Sequence, residues 1–426
     1  MGLGRRIGRV VGVVVLLALV WPMGCGRKDR AASREGVPIV RVRLLQDQRV
    51  VTLSATRPPT ASPDSPYSRR LDLPRGAPIP IRLTPQGWRV GDELVAADGA
   101  RGSGSVGGAE FGVGQLTLQP DGDGSLGVNG TAYRGRYRFV PVAGGNGQFD
   151  VINDVDIDGY LKSVVSKEVL KDWHPDAFRA QAIVARTYAL YEWASLGGRG
   201  NYDLNDDVRS QVYGGLKAES PKSQAAVNAT AGVVLVNPGP DGNKVFKAYF
   251  SSCCGGITAS AADAFNEPDI KPLSARFVGP QCSVSPHFNW GPIVMSKSDL
   301  TRRLRQWGVN RDHAIKTMAD LVSIDLWKTN EYGRPARFIV TDTKGTQYAL
   351  VAEEFRWAVN TGGVVLKSAF VKPVNEPDSI RFAEGHGWGH GVGLCQWCAE
   401  TQAEEGMRGE EIVLRSFPGA KLVRAY

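Results

Sequence analysis

The chain has 426 residues, 42% apolar and 22% charged, enough to bury a sizeable core and to form two or three domains. Its net charge of +8 falls to +5 once Arg5, Arg6 and Arg9 of the leader are set aside, a balance that suits an anionic polymer of the cell envelope only loosely. No dense Lys/Arg run interleaved with aromatics occurs, which argues against nucleic acid as a partner.

The N-terminus reads as an export signal over residues 1–24: three arginines, an apolar run from Val10 to Trp21, then Gly24 before Cys25. That run is short of the ~20 apolar residues needed to cross a bilayer. Gly24-Cys25 resembles the cleavage and lipidation box of bacterial lipoproteins. The expectation is an exported protein in the cell envelope, anchored to the membrane by a lipid on Cys25, with residues 25–37 as a polar tether. From Pro38 to about Val151, short β-rich runs ("PIVRVRLL", "VVTLSA", "IPIRLT", "QLTLQP", "RYRFVPV") alternate with Gly, Pro and Asp turns. Two helices follow. The first is predicted from about Asp158, as N-cap, to Leu170, the second from near Pro175 to just before Gly197-Gly198.

Beyond the loop "NYDLNDDVRSQVYGG" come a short helix ("KSQAAVNATA") and strands. Residues 295–374 mix a helix with strands and read as a small inserted subdomain; the Gly-rich "EGHGWGHGVGLCQWC" then leads to a helix from about Ala399 to Gly406. The fold class is α+β: a β-rich N-terminal part, a helical pair, and the inserted α+β unit. The division is 38–294 and 375–426 for the two parts of the main domain, with 295–374 between them.

In "LKSVVSKEVL" a step of ~100° per residue puts Glu168 in one stripe with Leu161, Val164 and Val165. A carboxylate there loses hydration, so it is either paired or kept for proton transfer. The second helix carries Arg186 in the centre of its own apolar stripe. One reading joins the two as a buried ion pair; the other makes Glu168 a general acid of raised pKa. These conflict, since an adjacent Arg lowers a carboxyl pKa.

"DVDIDG" at Asp154 and "DLNDDV" at Asp203 look like calcium loops, but Val165 and Gly214 stand where the bidentate Glu belongs. We read these acids as caps and turns. His386 and His390 are four apart, yet the glycines around them rule out a helical metal pair. In that loop Trp388 or Trp397 can stack on a sugar ring, and His390 and Gln396 can hydrogen-bond it; the competing reading is a structural turn with core tryptophans. Cys395 and Cys398 form a C-x-x-C. With Cys253, Cys254, Cys282 and His287 they supply enough ligands for zinc, while two disulfides are the alternative in an oxidising compartment.

Together these stretches resemble the stage II sporulation protein D family, whose relatives include amidase enhancers. "GTAYRGRYRF", "DVINDVDIDGYLKSVVSKEV", "AFRAQAIVARTYAL", "DDVRSQVYGG", "AYFSSCCGGITAS" and "GHGWGHGVGLCQW" are similar to its signatures, in order, over about residues 38–426. The resemblance implies a peptidoglycan lytic transglycosylase with Glu168 as catalytic acid, and Arg186, Ser251, His390 and Gln396 as residues that position the glycan. It implies the MurNAc-GlcNAc strand as substrate, no cofactor for the chemistry, and an amidase or other wall hydrolase as a candidate partner. The family's "SSTSGG" turn reads "SSCCGG" here. Because some relatives carry zinc, Cys254, Cys282 and Cys395 are expected to form either a metal site or a disulfide.

Overall fold

A computed structural model describes residues 36–62, 64, 68–95, 114–122, 124–207, 209–240 and 242–426. The expected export signal and the candidate lipidation residue Cys25 lie outside these residues. Among those described, no helix is long and apolar enough to cross a membrane.

The N-terminal part is two antiparallel-rich sheets. In the seven-stranded sheet, Ile39–Gln48 and Arg136–Pro141 flank the central strand Phe149–Asp156. Ile39–Gln48 shows why a period of two makes a strand: Val40, Val42 and Leu44 point inward while Arg41 and Arg43 point away. The six-stranded sheet, built around Val50–Ala55 and Ile79–Thr84, packs on the first through Trp88, whose ring lies 5.1 Å from Phe149 and 6.0 Å from Phe139.

The strand Phe149–Asp156 runs straight into helix α1 (Ile157–Glu168). The cap is Asp156, whose Oδ1 accepts from Gly159 N at 2.7 Å, and Asp158 lies inside the first turn. The predicted cap was therefore two residues late. Asp158 is drawn inward by a buried partner, leaving the sheet's last residue to close the helix. The helix also ends at Glu168, with Val169 already extended, so the catalytic candidate sits on its last residue.

Helix α2 (Pro175–Leu196) is capped by His174 and ended by Gly197 in the left-handed region, as the Pro and Gly positions predict. It is buried on nearly every side from Ala177 to Leu190, so it forms the axis of the main core. Helices α3 (Pro221–Ala229) and α4 (Ala261–Phe265) follow. The strand Lys421–Arg424 returns to pair with Val233–Gly239.

A separate hydrophobic cluster gathers residues from Met295 to Phe382. It contains α5 (Lys297–Arg311), a three-stranded antiparallel sheet (Leu321–Thr329, Pro335–Asp342, Gln347–Val351) and α6 (Ala352–Val359). The chain then re-enters the main body through the Gly-rich loop, α7 (Gln396–Glu404) and α8 (Gly409–Ser416). The fold is α+β, with a β-rich N-terminal part.

Candidate active site

Leu161, Val164 and Val165 of α1 are fully buried, and Glu168 closes the same stripe at the rim of the core, half-buried. Burial pushes its carboxyl pKa up. Two contacts partly offset this, the Val212 N–H and the side-chain amide of Gln396. The Val212 bond is long, 3.3 Å to Oε1. Among the described residues Glu168 has no ion pair, so the carboxyl retains a high affinity for its proton.

The loop that supplies Val212 is held on α1 and on the sheet. Gly214 N donates to Ser163 Oγ at 2.9 Å, and the Tyr213 hydroxyl donates to Asn153 Oδ1 at 3.0 Å. Asn153 in turn donates to the carbonyls of Arg134 and Arg136. Beneath the loop, the Tyr160 hydroxyl donates to Gln211 Oε1 at 3.2 Å, and Gln211 donates to Ala185 O. Asp206 lies in the same loop, its pKa pushed up to about 6 by burial and by the neighbouring Asp207. On the other side, Gln396 Nε2 reaches Gln181 Oε1 of α2 at 3.4 Å. Gln181 is fully buried, and its own Nε2 finds no partner among the described residues.

This helix pair, its loop and most of the strand after α3 fall within residues 145–237, which match the family model described as "SpoIID: Stage II sporulation protein". Over this segment the chain is similar to the SpoIID family. It is similar to an uncharacterized protein of Brachyspira hyodysenteriae, 29% identical over 298 residues, 70% of this chain and 73% of the relative. It is 27% identical to the amidase enhancer of Bacillus subtilis over 302 residues, 62% of this chain but only 40% of that longer protein. The stage II sporulation protein D of Bacillus amyloliquefaciens is 22% identical over 308 residues, 64% and 76% of the two chains.

Set against the SpoIID signatures, the remaining candidates divide. Gln396 is beside Glu168. Arg186 is not: it is fully buried and pairs with Asp158, whose Oδ1 accepts from Nε at 3.1 Å and Nη2 at 3.0 Å. Its other donors go to Thr230 Oγ1, Val233 O and Val227 O, and Nε also meets the Tyr426 hydroxyl. No donor is left over for a glycan, and neither the proposed ion pair with Glu168 nor a substrate-positioning role for Arg186 fits this placement.

Ser251 is buried and its Oγ accepts from Gly391 N at 3.1 Å, which fastens the Gly-rich loop to the strand Phe250–Ser251. His390 Nδ1 accepts from Val392 N at 2.9 Å, and the ring lies against Tyr249 and Phe265. Burial lowers its pKa to about 3, so it is a neutral imidazole. His386 packs instead on Phe370, and the two histidines face different neighbours. Trp388 is 38% exposed, edge-on to His287 at 4.2 Å with the Lys367 ammonium over its face. Trp397 packs on Trp173.

The five described cysteines beyond the leader are buried and free, so the disulfide alternative is not what the structure holds. Cys254, Cys282 and Cys395 do come together, and Cys398 joins them; His287 is with Trp388 instead, and Cys253 is not one of the four, although its thiol meets those of Cys282 and Cys395. Sequence reasoning passed over Gln181, Gln211, Asp206 and Arg334. Gln181 had the same signal as Glu168, a polar residue inside an apolar helical run, and could have been found by it.

Proposed function

We propose that this protein cleaves the glycan strands of bacterial cell-wall peptidoglycan by a lytic transglycosylase reaction, with Glu168 as acid and then base. The observation that carries this reading is the carboxyl of Glu168: accessible at the core rim, without an ion pair among the described residues, and raised in pKa by desolvation. Such a group keeps its proton to higher pH than an ordinary carboxyl and can deliver it to a glycosidic oxygen. Ordinary glycosidases need a second carboxylate to activate water or to attack. In the proposed reaction the 6-hydroxyl of the same muramic acid residue attacks its own anomeric carbon and closes an anhydro ring. The glycosidic bond breaks, the leaving hydroxyl keeps the first proton, and the hydroxyl proton returns to Glu168.

Gln396 and the Val212 N–H stabilise the carboxylate between these two transfers. Exposed Trp388 offers a ring face to a sugar. On this reading the chain is exported and acts in the cell envelope, tethered by a lipid on Cys25. The amidase enhancer among its relatives supports a second reading, a wall-binding partner that stimulates a separate hydrolase.

The deciding experiment incubates the protein with peptidoglycan, intact and stripped of stem peptides, beside Glu168→Gln, and analyses products by mass. Anhydro-muramic ends that vanish in the variant are the expected result. Glycan binding with no cleavage by either protein would leave the activator reading in its place.

A further inference from the structure

The sulfurs of Cys254, Cys282, Cys395 and Cys398 all lie within 4.8 Å of one another, and all four residues are buried. Cys254 Sγ is 3.6 Å from Cys282 Sγ and 3.8 Å from Cys398 Sγ. Four thiolates held ~2.3 Å from one ion in a tetrahedron stand about 3.8 Å apart along each edge. Sulfurs joined in a disulfide are ~2.05 Å apart. We propose that these four cysteines bind one zinc ion in a closed structural site.

Three further features fit that ion. First, the ligands come from segments far apart in sequence: the "SSCCGG" turn, the short turn Gly279–Cys282, and the C-x-x-C that opens α7. A shared ion gives each a reason to be where it is. Second, Cys395 is the N-cap of α7. Its sulfur accepts from Cys398 N at 3.4 Å and Cys254 N at 3.3 Å, so backbone donors of two ligand segments already converge on it. Third, a zinc ion with four thiolates carries two net negative charges. The guanidiniums of Arg334 and Arg276 are within electrostatic reach of the cysteines, and Arg334 Nη1 also donates to Cys254 O at 2.7 Å.

Four protein ligands leave no open position, so the ion's work is to hold chain segments together. What it holds matters to the glycan reading, on which this last step rests: Gln396 follows Cys395 directly. An ion on Cys395 and Cys398 fixes the first turn of α7, and with it the amide beside Glu168.

The test is the metal content of the full chain, purified in reducing buffer without chelator, measured by plasma mass spectrometry. About one zinc per chain is expected. Cys398→Ser should lower that content at least about tenfold, while Cys253→Ser, outside the tetrahedron, should keep it. Because Cys398→Ser can fail to fold, cobalt exchange into the parent protein gives a second readout: the visible bands of tetrahedral tetrathiolate cobalt are expected. Two disulfides by intact mass, iron in place of zinc, or a cobalt spectrum without thiolate bands would each overturn the assignment. None of these readouts uses glycan cleavage, so a protein that holds zinc but cuts no glycan would sink the catalytic reading and leave the site intact.

Discussion

At the scale of the residue, Glu168 and Arg186 are both charged groups on apolar helix faces, one half-buried and one fully buried, and the structure gives them opposite energetics. Glu168 binds its proton more tightly in the folded chain than in the unfolded one. Through the window between its ordinary and its raised pKa the folded state therefore holds more protons, and stability falls as pH rises. Below that window the penalty is absent; above it the penalty is complete. Glu168→Gln, inactive on the proposed function, should thus be more stable than the parent at neutral pH, the difference closing as the pH falls to about 4. Urea unfolding at the two pH values measures this, and a variant less stable at neutral pH would mean the carboxylate is a structural partner after all. Arg186 predicts the reverse. Arg186→Leu leaves Asp158 without its cation and three acceptors inside the core without a donor, at a cost of about 3–5 kcal/mol. On the proposed function, cleavage per folded molecule at low temperature should nevertheless survive, because no part of that side chain faces solvent.

At the scale of the element, local signals read well and distant ones did not. The apolar stripe of α1 and the Pro and Gly ends of α2 depend on neighbours within a turn, and both were legible. The inward pull on Asp158 was not, since Tyr426, which also donates to it, is 268 residues away. The start of α7 was placed three residues late because its cap is a cysteine, a residue outside the usual capping set. The Gly-rich loop admits two readings in sequence, a ligand loop and a structural turn, and two of its glycines make room for the protein itself. A Cβ on Gly387 would stand 2.5 Å from Cys253 O, and one on Gly393 would stand 2.2 Å from Tyr249 O, both at positive φ. Gly345 has nearly the same φ as Gly393, +78° against +72°, but nothing within 4 Å of the added carbon. Gly345→Ala should therefore cost only the backbone term, about 1 kcal/mol. Gly393→Ala should cost roughly 1–3 kcal/mol more, from the forced contact. Equal melting temperatures for the two variants would show that the loop yields freely and that its glycines are not there for packing.

At the scale of the whole molecule, two hydrophobic cores are joined by a polar seam, which sequence patterning could not reveal because it marks faces and not the contacts between them. The hairpin formed by Leu321–Thr329 and Pro335–Asp342 belongs to the second core, yet it reaches into the first. Asn330 Nδ2 donates to Thr258 O at 3.1 Å, and Arg337 donates to the carbonyls of Ala262 and Asp263. Arg334, 2% exposed, donates to Cys254 O and Ile257 O at 2.7 Å and to His390 O at 3.1 Å. It thus ties together the "SSCCGG" turn and the Gly-rich loop from outside both. The apolar packing of the second core, through Leu300, Phe338 and Phe355, makes no use of this side chain. Arg334→Ala should then act selectively: three buried carbonyls lose a charged donor, worth roughly 3 kcal/mol or more together, while the second core remains closed. Hydrogen exchange resolves the difference. Amides of residues 385–395 and 253–257 should exchange faster in the variant, and those of 300–307 and 338–341 at the parental rate. Faster exchange throughout would mean that the two cores unfold as one unit, with Arg334 as part of their common stability instead of the link that seats the loop.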